Sequence, residues 1–242
     1  MKIINLGNIL SNNYIIKMGG EFLLIDTGYP EHYDGFIKKL YKYNIHLEDI
    51  SYILLTHAHD DHAGFLSKLL NNSNAKLILH PKAVARLKKG QNCFKGGCSS
   101  YLALVFCKVM KLLGKGDHKF PNVDRLDRYI ILNNSIKLAL EQKLNVSIIN
   151  LPGHTSDSIG LLLEDGTLFC GDAAMNGFPS LNKIIIWIED LKEYKKSWEL
   201  ILEISPKKIY PSHGKPFMKE ELMKNINKID NINLYPLKNK SG

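Results

Sequence analysis

Two hydrophobic rhythms alternate along the chain. Tyr14-Ile15-Ile16-Lys17-Met18 and Glu21-Phe22-Leu23-Leu24-Ile25-Asp26 flank Gly19-Gly20, a pair suited to the positive φ angles of a tight turn. They predict a β-hairpin that ends in the turn Asp26-Thr27-Gly28. A helical spacing follows over about 31–43, with Phe36, Ile37, Leu40 and Tyr41 on one face. Ile53-Leu54-Leu55 is a short continuous apolar run, the mark of a strand buried on both faces. A helix from about Ala63 to Leu70, a strand from Lys76 to His80 and a helix begun by Pro81 extend the β-α order.

The rhythm breaks over residues 82–120, where an apolar helical stretch from Tyr101 to Leu113 lies among Gly90, Gly96, Gly97, Gly114 and Gly116. Short strands are then expected at about 128–132, 136–140, 145–151, 158–163 and 167–171, the last two joined as a hairpin through Asp165-Gly166. A helix near 190–204, a strand near 207–210 and a helix at about 218–229 close the pattern. With no internal repeat and no low-complexity linker, residues 1–242 are expected to form a single α/β domain carrying a helical insertion at 82–120.

Composition narrows the class. The 242 residues are 45% hydrophobic and 23% charged, which suits one buried α/β core and excludes a disordered chain. No apolar run approaches the roughly 20 residues of a bilayer span. The opening MKIINLGNIL is interrupted by Asn5, Gly7 and Asn8, unlike a secretory signal, so a cytoplasmic location and no membrane span are expected. Cys93, Cys98, Cys107 and Cys170 form no C-x-x-C pair and are too few for a disulfide scaffold, so they are expected to be reduced thiols. The net charge of +8 is local. Residues 82–120 hold Lys82, Arg86, Lys88, Lys89, Lys95, Lys108, Lys111, Lys115 and Lys119 against Asp117 alone, and the rest of the chain is balanced. Lysines without regular aromatic interleaving are a poor nucleic-acid signature, and no nucleic-acid partner is expected.

The chemistry gathers just past the ends of expected strands, where a rigid scaffold can aim loop residues at one point. His57-x-His59 comes first, with Asp61-His62 directly after it. His154 lies in Pro152-Gly153-His154-Thr155, Asp172 ends the strand Leu168-Phe169-Cys170-Gly171, and His213 follows Lys208-Ile209-Tyr210. Five of the nine histidines fall in these clusters; His32, His46, His80 and His118 read as ordinary structural residues. Imidazole and carboxylate suit zinc, and also iron or manganese. Three imidazoles and a carboxylate within six residues would be costly to bury without a metal.

Thr56-His57-Ala58-His59-Asp60-Asp61-His62, Gly153-His154-Thr155, Gly171-Asp172 and Ser212-His213-Gly214 resemble the motif series of the metallo-β-lactamase superfamily, and Ile25-Asp26-Thr27-Gly28 fits its first motif. The resemblance implies a four-layer αβ/βα sandwich. It implies two divalent metal ions, zinc foremost, with His57, His59 and His154 on the first, Asp61, His62 and His213 on the second, and Asp172 bridging. His59 stands where flavodiiron oxygen reductases usually carry Glu. Two such ions hold a bridging hydroxide, because metal binding lowers the pKa of water toward ~7. Asp61 is the candidate catalytic residue, both ligating and orienting the nucleophile. Asn176, Ser180 and Asn182 are candidate oxyanion donors, although ordinary loop chemistry explains them equally well.

The expected activity is hydrolysis of a small ester, lactone or thioester. The alternatives are a phosphodiesterase or nuclease, a sulfur dioxygenase using one iron, and a metal-bound ligand sensor without turnover. Only about 29 residues follow His213, so no glutathione-binding domain of the glyoxalase II type is expected there. His62 and His154 lie 92 residues apart (62 to 154), a longer interval than in small ester-cleaving relatives. The excess is the basic segment 82–120. It reads either as helices covering a sheet edge, as a dimer contact, or as a wall accepting a small molecule with an apolar group beside an anionic one.

Overall fold

A computed structural model describes residues 2–237, which divide into two compact units. The first comprises residues 2–92 with 119–148, the second 93–118 with 149–237.

The first unit is built on a six-stranded sheet in the order Ile3–Asn5, Tyr14–Met18, Glu21–Ile25, Ile50–Leu54, Lys76–Leu79, Tyr129–Ile131. The first three strands are antiparallel and the remaining pairings are parallel. The expected hairpin turns on Gly19 (φ 57°) and Gly20 (φ 94°), angles that an L side chain seldom adopts. Ile15, Leu24, Ile53 and Leu77 of the sheet pack with Phe36 and Leu40 of the Tyr33–Lys42 helix, Leu66, Leu69 and Leu70 of Leu66–Asn71, and Leu87 of Ala83–Lys89. The other faces of the same strands, at Leu23, Ile25, Leu54 and Ile78, are buried too. Burial on both faces is why these parallel strands read as unbroken apolar runs.

Two expected elements differ. Residues 136–140 are not a strand but part of the Asn134–Leu144 helix. Ile136, Leu138 and Leu140 mimic a period of two, yet the side chains the fold buries are Leu140 and Leu144, one helical turn apart. Asn133 caps the helix by accepting from the Ile136 amide (2.9 Å), and Asn145 ends it in the left-handed region (φ 56°). The helix expected over 218–229 is only Glu220–Met223, followed by a 3-10 segment at Ile226–Asn231.

The second unit carries a four-stranded sheet in the order Lys208–Pro211, Thr167–Gly171, Ile159–Leu163, Val146–Asn150, the unit boundary falling within the last strand. Ile159–Leu163 and Thr167–Gly171 form the expected hairpin around Gly166 (φ 85°). Leu168, Cys170 and Ile209 pack on Tyr194, Trp198 and Ile201 of the Leu191–Ile204 helix, whose N-cap Asp190 accepts from the Glu193 amide (3.1 Å). The basic segment is shared. Ala83–Lys89 belongs to the core of the first unit, whereas 93–118 belongs to the second. There Gly97–Cys98 pairs antiparallel with Trp187–Ile188, and the Tyr101–Leu112 helix starts at the N-cap Ser100 (Oγ to the Ala103 amide, 3.1 Å). All four cysteines are unbridged thiols, and among the described residues no helix is long and apolar enough to cross a membrane.

Candidate metal centre

In the first unit the strand Ile50–Leu54 stops short of Thr56, and His57 and His59 lie in the extended segment that follows. Asp61 and His62 sit inside a four-residue helix, Asp60–Ala63, one turn earlier than the sequence pattern suggests. His57, His59 and His62 are all buried, and Asp61 is partly exposed. The His57 ring centroid lies 4.6 Å from that of His59 and 3.9 Å from that of His62.

Asp26 organises this cluster. It is fully buried, holds a left-handed backbone angle (φ 58°), and accepts from the Thr56 amide and the Thr56 hydroxyl, each at 2.7 Å. Its Oδ2 also takes His62 Nδ1 at 2.8 Å. A carboxylate with these donors obliges His62 Nδ1 to carry the proton, so Nε2 presents the lone pair. The Thr56 hydroxyl gives its one proton to Asp26, so toward His57 Nδ1 (3.1 Å) it can only accept. His57 is therefore the same tautomer. Carboxylate-supported imidazoles of this kind are the usual second layer around metal-ligating histidines. Thr27 completes the support, its amide (2.8 Å) and hydroxyl (2.7 Å) both donating to the His62 carbonyl.

In the second unit, three side chains meet at one end of the sheet. Thr167–Gly171 and Lys208–Pro211 run parallel with Gly171 beside Pro211, so the residues that follow each strand emerge at the same end. Asp172 Oδ2 lies 3.5 Å from His154 Nε2 and 3.4 Å from His213 Nε2. These separations exceed those of good charge-assisted hydrogen bonds. They suit donors that converge on a shared ion. His154 Nδ1 donates to the Trp187 carbonyl at 2.7 Å, which again leaves Nε2 with the lone pair.

The His154 turn is fixed from several sides. The Glu189 amide donates to the Gly153 carbonyl (2.9 Å), the Asp190 amide to the same carbonyl (3.0 Å), and the Glu189 carboxylate accepts from the Ser156 amide (2.9 Å). Gly153 has φ 130°, and a Cβ there would lie 2.3 Å from the backbone of Tyr194. Gly153→Ala is therefore expected to displace His154 and lower metal affinity by about 10–100-fold, the scale of second-layer losses; competitive titration with a chromophoric chelator checks it.

The basic segment reaches this turn through its short strand. Cys98 pairs with Trp187, the residue whose carbonyl holds His154, and the Trp187 indole donates to the Lys95 carbonyl at 3.0 Å. Phe106 of the Tyr101–Leu112 helix meets Phe178 edge-on (centroids 6.0 Å), in the loop after Asp172.

Asn176, Ser180 and Asn182 serve that loop itself. The Asn176 amide side chain donates to the Lys215 carbonyl (2.7 Å), the Ser180 hydroxyl contacts the Met175 and Ile184 carbonyls (3.0 and 2.7 Å), and Asn182 accepts from Lys228 (2.7 Å). Cys170 is buried beside Asp172; burial first, and the carboxylate second, push its thiol well up, so it remains protonated.

Asp26 and Thr56 stand in the sequence motifs, but their part in aiming the imidazoles emerges only in the folded chain, as do Glu189 and the Trp187 carbonyl. For Asp26 a signal existed, an acid closing an apolar strand before Thr-Gly. The Trp187 carbonyl has none, because any residue supplies a carbonyl.

The model of the metallo-beta-lactamase superfamily matches residues 6–213, and the chain belongs to that superfamily. Its α/β architecture is the metallo-β-lactamase fold. Among curated relatives, the beta-lactamase-like protein 2 homolog of Drosophila melanogaster is 30% identical over 220 residues, covering 84% of this chain and 58% of the relative. The atrochrysone carboxyl ACP thioesterase dmxR1 of Cryptosporiopsis sp. is 24% identical over 208 residues, covering 84% and 48%. A solved structure, TTHA1623 in a di-iron-bound form, superposes with a TM-score of 0.65 at 19% identity, covering 93% of this chain and 98% of that one. The chain spans under two thirds of the length of the first curated relatives it matches, 58% and 56%.

Proposed function

We propose that this protein is a metal-dependent hydrolase of a small ester, lactone or thioester, with a dinuclear site. His57, His59 and His154 are assigned to one ion, Asp61, His62 and His213 to the other, and Asp172 to both. The observation that carries this reading is the tautomer set. His57, His62 and His154 each commit Nδ1 to a hydrogen bond and turn the lone pair of Nε2 outward, the form a divalent cation requires. The donor set of imidazoles and carboxylates fits zinc, the proposed metal. Iron is the second reading, favoured by the di-iron relative.

When bound, such ions supply Lewis acidity and water activated near neutral pH. The chain's own part is to orient and to hold. Asp26 and Thr56 hold the Nδ1 atoms of His62 and His57 and so fix which way each ring points. Asp61, the least buried of the assigned ligands in its unit, would both ligate an ion and orient the nucleophile. Phe106, Met110 and Phe178 offer an apolar wall for an acyl or aromatic group of the substrate. The curated relative named a thioesterase supports an acyl substrate.

A panel of lactone, thioester, phosphodiester and β-lactam substrates, each run with and without chelator, tests the assignment. Chelator-sensitive turnover is expected on lactones or thioesters. Turnover confined to phosphodiesters would instead establish the nuclease alternative, and none on any class would favour a sensor. Changing Phe106 and Met110 to Ser is expected to raise KM for the best substrate several-fold with metal content unchanged; steady-state kinetics beside elemental analysis checks this.

A further inference from the structure

We propose that the outward face of the Tyr101–Leu112 helix docks this protein on an anionic lipid surface. The helix is apolar on its outward side as well as its inward one. On its inward side Ala103 and Leu104 are buried with Cys98, and Cys107, Ile186 and Trp187 pack against them. Its outward stripe falls at Tyr101, Val105, Val109 and Leu112, positions i, i+4, i+8 and i+11, where a surface helix is normally polar. Tyr101 is 67% exposed, Leu112 87% and the adjoining Leu113 69%. Leu102, Val105 and Val109 are exposed as well, over a helix about 18 Å long at ~1.5 Å per residue. Monomeric soluble proteins seldom leave a contiguous apolar stripe of this kind uncovered.

Charge selects the occupant. Lys108 and Lys111 border the stripe and are exposed, and Lys95 and Lys115 lie in the same segment, with Asp117 its one acid. Large apolar side chains flanked by lysines are the pattern of a helix lying in the plane of a membrane interface. There the apolar face enters the acyl boundary and the lysines meet anionic headgroups. A second copy fits worse, because a two-fold contact through this stripe brings each copy's lysines against the other's, and like charges face to face destabilise.

Co-sedimentation of the full metal-loaded protein with vesicles decides this. Vesicles of phosphatidylcholine with phosphatidylglycerol are expected to retain the protein at low salt, and pure phosphatidylcholine vesicles to retain little. Neutralising Lys108 or Lys111 (Lys→Gln) is expected to weaken partitioning by about fivefold each, the effect of one basic residue near the surface. Val109→Glu with Leu112→Glu is expected to abolish it. Both positions face outward, so the thermal midpoint of every variant should match the parent, and this separates lost docking from lost folding. Retention by neither vesicle, equal retention of parent and double variant, or a dimer in sedimentation velocity that these substitutions dissolve would each overturn the proposal, the last in favour of a second copy.

Discussion

Replacing Asp172 with alanine is expected to remove bound metal and activity together, with turnover falling by at least about 100-fold. In its own unit the carboxylate oxygen stands 3.5 Å from His154 Nε2 and 3.4 Å from His213 Nε2, so it is common to both imidazoles. Deleting it takes one ligand from each proposed ion and removes the negative charge that offsets their mutual repulsion. Asp172→Asn sharpens the test. The amide keeps the shape and an oxygen but loses the charge, so metal should be held weakly and recovered only at high metal concentration. Elemental analysis and turnover are the readouts, and retention of two metals with near-normal turnover removes the bridging role.

Trp198→Ala is expected to cost about 3–5 kcal/mol of stability, the usual range for truncating a buried aromatic. Trp198 is fully buried, packs beside Tyr194, and donates its indole N–H to the Ala173 carbonyl at 2.6 Å. Ala173 follows Asp172 directly, so this one side chain both fills the core of the second unit and pins the backbone that presents the carboxylate. Chemical denaturation of the metal-free protein reads the stability loss without the contribution of bound ions, which otherwise stabilise the folded state by mass action. A loss below about 1 kcal/mol would mean that the side chains packed around Trp198 collapse to fill the space.

Much of this was legible in the sequence because it depends on local patterns. The hairpins at Gly19-Gly20 and Asp165-Gly166 are set by glycines at positive φ. The central strands appear as unbroken apolar runs because both of their faces are buried. The ligand-type residues stand out because histidine and aspartate just past strand ends are costly to bury without a role. What failed did so for physical reasons as well. Ile136, Leu138 and Leu140 alternate like a strand, but Asn133 starts a helix and the core takes only Leu140 and Leu144, a choice made by packing rather than by period. The segment 82–120 reads as one basic insertion, yet Leu87 joins the core of the first unit while Cys98 pairs with Trp187 in the second. That division depends on residues nearly ninety positions apart, between Cys98 and Trp187, which no local pattern encodes. The tautomers of His57, His62 and His154 were invisible for the same reason. They are set by Asp26, Thr56 and the Trp187 carbonyl, known as partners only once the chain is folded.

The most direct measurement of the central claim is the metal content of the protein purified without chelator and then saturated with zinc. Elemental analysis is predicted to give two tightly held ions per chain, falling toward none in Asp172→Ala, with hydrolytic turnover rising in step with metal restored to chelated protein. A single ion under replete conditions, or turnover indifferent to its removal, would contradict the dinuclear hydrolase.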